Sequence, residues 1–91
     1  MARDGLWINV DEARSYGGQI NEGVGQINGL LSQITNLLGN TYWVGEDREH
    51  FEEDFHGGVK PEAAKATQHL SDSAAEFFRR ADAQEQLSNG G

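Results

Sequence analysis

The densest group of side chains able to ligate a metal ion or move a proton is EDREHFEEDFH, residues 46–56. Within it Glu46 and His50, His50 and Asp54, and Glu52 and His56 stand four residues apart, a spacing that puts each pair on one face of a helix. A zinc centre needs three or four such ligands in one closed set, and a hydrolytic zinc helix carries His-Glu-x-x-His. Neither pattern is present, so the segment reads as the acidic start of a helix with a solvated face. Ser, His and Asp all occur elsewhere, but no nucleophile elbow, phosphate-cradling glycine loop or dinucleotide fingerprint joins them. With no cysteine there is no thiol nucleophile and no thiolate ligand. The residues therefore assign no catalytic, cofactor-binding or metal-ligating role, and the chain is expected not to be an enzyme.

Composition narrows the remaining classes. A chain of 91 residues is one domain at most and sits near the lower size limit of independent stability. Disulfides and thiolate metal sites being excluded, association is the remaining way to stabilise it. Fifteen acidic residues against seven Lys and Arg give a net charge of -8, which argues against nucleic acid or an anionic membrane as partner. The first twenty residues hold neither a basic leader nor an apolar run like that of a secretory signal, and no stretch approaches the length of a membrane span.

Two helices must carry whatever the chain does. Between residues 13 and 38, Ala13, Ile20, Val24, Ile27, Leu31, Ile34 and Leu38 recur in steps of three and four, with Gly17 in the one gap: a heptad seam. Tyr16, Gly23, Leu30 and Leu37 form a second column at intervals of seven and widen the stripe beyond what one facing helix covers. Two neighbours are implied. Interior glycines weaken this helix, so either tertiary packing overrides propensity or Gly17 and Gly23 admit a close neighbour. Asn9 or Asp11 is placed to cap its start and Gly39-Asn40 to stop it.

The short connector GNTYWVG, residues 39–45, makes antiparallel neighbours of the helices it joins. The second helix is expected from about 46 to 85, with a seam through Phe51, Phe55, Val59, Ala63, Ala66, Leu70, Ala74, Phe77 and Ala81. Gly57, Gly58 and Pro61 interrupt it, giving either a kink near 57–61 or a new helix opening at Pro61. The last residues, about 86–91, lack periodicity and read as a disordered tail. The whole is an all-α fold: helix one about 10–39, a turn about 40–45 and helix two, forming an antiparallel two-helix hairpin that dimerises into a four-helix bundle.

Trp43-Val44-Gly45 in the turn, the length, the absence of cysteine and the two-helix pattern together resemble the WXG family of early-secreted-antigen-type proteins. The resemblance spans nearly the whole chain. It implies a helical hairpin that pairs with itself, with a paralogue, or with the helical domain of a larger effector. It further implies export in the folded state by type VII secretion, from the cytoplasm and without a cleavable signal peptide, as substrate and adaptor. Such proteins carry a Tyr-x-x-x-Asp/Glu signal after helix two, read by the FtsK/SpoIIIE-type secretion ATPase. Here the matching positions are Phe78 and Asp82, without the tyrosine hydroxyl. Either the pair is a tolerated variant or the partner chain supplies the signal; Phe78 also fits as a ring at the edge of the seam. The competing expectation is a cytosolic helical chaperone or scaffold for a larger secreted effector.

Overall fold

The computed structural model describes residues 8–90, with side chains through residue 87; Trp7 lies outside the described residues. Every described residue outside 8–9 and 41–45 is helical, and among the described residues there is no strand. Helix α1 runs Val10–Asn40. A second, longer rod is made of α2, Glu46–Asp54, a π-helical turn at Phe55–Val59, and α3, Lys60–Gly90. No described helix is long and apolar enough to cross a membrane.

The start of α1 is set by Asn9, the first of the two expected caps. Its backbone is extended and its side-chain oxygen accepts the Glu12 N–H at 2.9 Å, while Asp11 and Glu12 place negative charge at the positive end of the helix dipole. The means of stopping is corrected, not its place: α1 ends at Asn40, within a residue of the expected limit, and the chain leaves by extending at Thr41, whose N–H reaches the Leu37 carbonyl at 2.9 Å. No left-handed glycine ends the helix, because Gly45 alone among the described residues has positive φ. The far end is corrected too. Instead of ending near residue 85, α3 is helical to Gly90; nothing after Ala81 removes an N–H, so each added residue keeps its backbone bond.

The break at Pro61 takes a specific form. Proline has no N–H, and its ring crowds the carbonyl four residues back. The helix widens just before it: Lys60 N–H bonds to the Phe55 carbonyl, five residues back, so the ladder continues without the bond Pro61 cannot make. This also resets the phase. Phe55 and Thr67, twelve residues apart, would lie about 120° apart on an uninterrupted α-helix. A π turn absorbs roughly one residue, which returns both to one face, and both are buried, at 3% and 8% exposure.

The seam of the second rod is therefore shifted from the expected one. Phe55, Ala63, Ala74 and Ala81 are covered as expected, but Val59, Ala66 and Leu70 are exposed, and Thr67 and Gln84 are buried. The Thr67 hydroxyl is satisfied by donating to the Ala64 carbonyl at 3.1 Å. Phe51 falls outside the seam as well, and Phe77 and Phe78 are both half-buried. On α1, Ala13, Gly17 and Leu38 are buried and Ile20, Val24, Ile27, Leu31 and Ile34 are half-covered, whereas Tyr16, Leu30 and Leu37 stand outward.

The start of α1 lies beside the end of α3. There the residues are small: Ala13, Ala74 and Ala81 are essentially inaccessible. Among the described elements, only α3 brings its backbone within 8 Å Cα–Cα of α1; toward the turn, Leu38, Trp43 and Phe51 line one open groove, and Phe51 stacks on Phe55. The molecule measures 66 × 19 × 15 Å with a radius of gyration of 19.9 Å, against roughly 12 Å for a compact chain of this length.

Gly17 is the glycine that packing requires. A Cβ there would come within 2.8 Å of the Phe78 ring, whereas Gly18, Gly23, Gly25 and Gly29 face open space. Gly25→Ala with Gly29→Ala is therefore expected to stabilise the fold by about 1–2 kcal/mol, by removing two helix-interior glycines. Gly17→Leu, which must displace Phe78, is expected to cost about 1–3 kcal/mol. Urea unfolding followed by circular dichroism reads both, and equal signs for the two variants would contradict the packing described.

Candidate functional site

The five residues between the rods bring together the features that face outward. Gly45 precedes α2 with φ 118° and ψ -176°, a conformation nearly confined to glycine, and its carbonyl accepts the Glu49 N–H at 3.2 Å. This glycine lets the chain swing directly from an extended segment into α2. Trp43 is half-buried and leans on Phe51, ring centroids 5.7 Å apart; Phe51 in turn stacks on Phe55 at 6.0 Å. Tyr42 and Val44 on either side are 92% and 71% exposed. Ile34, Leu37, Leu38 and Thr41 complete, with Trp43 and Phe51, an open apolar groove of about 320 Å³.

Arg48 holds this turn. Its guanidinium donates to the Leu38 carbonyl at 2.7 Å and the Trp43 carbonyl at 2.9 Å, reaches the Thr41 carbonyl at 3.5 Å, and is oriented by Glu52 at 2.8 Å. The last carbonyls of a helix have no intrahelical partner and carry partial negative charge. A forked cation in the first turn of the next rod serves one of them, the Leu38 carbonyl. Sequence reasoning missed this residue, although it was the single base in a run of acids; a lone Arg shortly after a helix end that lacks a left-handed glycine is the signal that could have found it.

At the other end, the two candidate signal residues both contact α1. The Phe78 ring lies over Gly17, and Asp82 pairs with Arg14 at 2.9 Å. Arg14 also meets Glu85 at 2.7 Å. The hydrogen bonds to Glu85 and then to Asp82 raise the guanidinium pKa above its ordinary value. Phe78 is half-buried, while the Asp82 side chain keeps two thirds of its surface open at 66%. Phe77, next to Phe78, meets Tyr16 edge-on at 5.8 Å. Trp43 and Gly45 thus sit at one end of the molecule, Phe78 and Asp82 near the other, and within one chain they do not form a single surface.

The acidic segment of α2 does not assemble a ligand set: among the described residues no three His, Asp or Glu side chains converge on a point that could hold a metal ion. His50 and His56 are exposed. His56 lies edge-on to Phe55 at 5.3 Å, and Lys60 sits over the same ring at 5.9 Å. Two other shallow grooves, one between Leu31, Thr35 and Lys60 and one behind Trp43 and Arg48, are open to solvent. Comparison with protein-family models, curated proteins and solved structures finds no match.

Proposed function

We propose that this chain is a small helical hairpin exported by a type VII secretion system, where it acts as substrate and adaptor through binding and not catalysis. The observation that carries the reading is the tryptophan turn: Trp43-Val44-Gly45 joins the two rods, with Gly45 in its glycine-only conformation and the Trp43 backbone pinned by Arg48. A surface of rigid aromatic and apolar groups at a fixed corner is a recognition feature, since such side chains lose little entropy on binding. The slender 66 × 19 × 15 Å shape and the outward Tyr16, Leu30 and Leu37 support the second part of the reading, that hairpins pair into a four-helix bundle.

Pairing also bears on the distance between the two candidate signals. Because Trp43 and Phe78 lie far apart along one chain, a composite of turn and C-terminal signal requires two chains, the turn of one beside the end of α3 of the other. The partner is a second copy, a paralogue or the helical domain of a larger effector, and the FtsK/SpoIIIE-type ATPase reads the assembled surface. The expected result is that the protein accumulates in culture medium when that ATPase is intact and stays in the cells when it is deleted. Equal retention in both strains would overturn the proposal.

A further inference from the structure

The apolar groove at the turn end stays open in the folded chain. Leu37 keeps 63% of its surface in water and Phe51 41%, and Tyr42 and Val44 beside them are more exposed still. Trp43 lines this groove and also the neighbouring one of about 360 Å³, whose other walls include Val44, Glu49 and Glu52. Pockets for small molecules bury most of their guest, and a groove this open does not. It fits a rod that lays a stripe of apolar side chains along it and leaves its far side in water.

What borders the groove selects the rod. Residues 46–54 carry six acids, and their one Arg or Lys, Arg48, is committed to the Leu38 and Trp43 carbonyls and to Glu52. Among the described residues, Glu46, Asp47, Glu49, Glu53 and Asp54 have no ion-pair partner, whereas at the other end Asp82 and Glu85 meet Arg14, and Glu76 meets Arg79 and Arg80. The helix dipole accounts for Glu46, Asp47 and Glu49, which stand in the first turn of α2. It does not account for Glu53 and Asp54, because the rod runs on past them into the π turn. Glu49 also stands one turn from both Glu46 and Glu53, and like charges at that spacing destabilise a helix. A cationic partner relieves this repulsion, and nucleic acid or an acidic segment adds to it. Asp47 and Asp54 lie one turn to either side of Phe51, so cations flanking an apolar anchor seated there meet a carboxylate on each side.

We propose that the turn end docks a basic amphipathic helix of another protein, its apolar stripe in the groove at Leu37, Trp43 and Phe51 and its Lys or Arg side chains on the acids of α2. This rests on the turn's being a recognition surface, as in the reading above, and supplies the chemistry of what it recognises. The probe is a synthetic helix of roughly 18 residues, leucines at i, i+3, i+4 and i+7 and lysines elsewhere, titrated at low salt into the isotope-labelled full chain and followed by NMR. Saturable binding below about 1 mM is expected, with amide signals of residues 34–54 shifting and those of residues 10–18 and 78–87 unmoved. Leu37→Ser is expected to weaken it by about tenfold, and Glu49→Gln with Glu53→Gln and Asp54→Asn by about fivefold; all four side chains are exposed. Two control peptides leave the chain unaltered. The same residues in scrambled order, and a version with glutamate for every lysine, are each expected to bind at least about tenfold more weakly. No binding up to about 1 mM, equal binding by either control, or shifts centred on α3 would each overturn the proposal. So would Leu37 and Val44 signals that move with the concentration of the chain alone, which would give the groove to a second copy. Export plays no part in the titration: a chain exported by the ATPase that ignores the peptide sinks this proposal alone, and one that binds it at the turn yet stays in the cell sinks only the secretion reading.

Discussion

Arg48→Ala is expected to lower stability by about 2–3 kcal/mol, because the charge-assisted bonds to Leu38 and Trp43 are lost together and one helix-end carbonyl and one turn carbonyl are left with water alone. The Arg48 side chain is only 24% exposed, so water is a poorer substitute than at a free helix end. In a domain of this size the loss corresponds to a fall of roughly 10–20 °C in Tm, measured by circular dichroism at one fixed protein concentration, since association shifts the midpoint. Arg48→Lys should recover less than half of it. One ammonium cannot span two carbonyls and the Glu52 carboxylate as a planar fork does. A loss below about 0.5 kcal/mol, as is usual for exposed surface residues, would show that the clamp does not hold the turn. The near-ultraviolet signal of Trp43 should change in the same variant, since the carbonyl of that residue is one of the two strongly held.

Phe55→Ala is expected to cost about 3–4 kcal/mol, the range for emptying a covered aromatic site. At 3% exposure Phe55 is the largest buried side chain toward the turn end, wedged where the rods part and stacked on Phe51. Val59→Ala provides the internal control. One turn on, at 50% exposure, it should cost under about 1 kcal/mol. The contrast tests the burial described: were Val59 turned inward as Phe55 is, its truncation would cost about 2 kcal/mol. Urea unfolding of the two variants separates the cases.

Much of the helical architecture was legible in the residues because local rules decide it. Asn9 with Glu12 three residues on, the acids at 46–49, and the glycine and tryptophan between two apolar repeats are short-range signals, and the helix limits followed to within a residue except at the far end. The outward column Tyr16, Leu30 and Leu37 was legible for the same reason, a count of sevens. What escaped depends on distance or on a departure from the α repeat. Arg48 reaches ten residues back to a carbonyl, and no side-chain pattern encodes a backbone acceptor. Thr67 lay outside the expected seam because that seam was extended across Pro61 at α spacing; the π turn moved the phase and exchanged Ala66 and Leu70 for their neighbours, while Gln84 is buried one turn beyond Ala81, where the expected seam ended. The candidate site was legible in its members, Trp43 and Gly45, but not in what holds them. Phe78 was readable as a seam-edge ring, yet the reason Gly17 lacks a side chain became visible only with the ring lying on it.

The narrowness of the molecule has a mechanical corollary. With extents of 19 × 15 Å across its long axis, and with almost every peptide group bonded along its own rod, one subunit is narrow enough to move lengthwise with its ladder of amide bonds intact. Under the export proposed above, a translocating motor would need to separate paired subunits, not melt helices, and the work per subunit would be set by the contact between them.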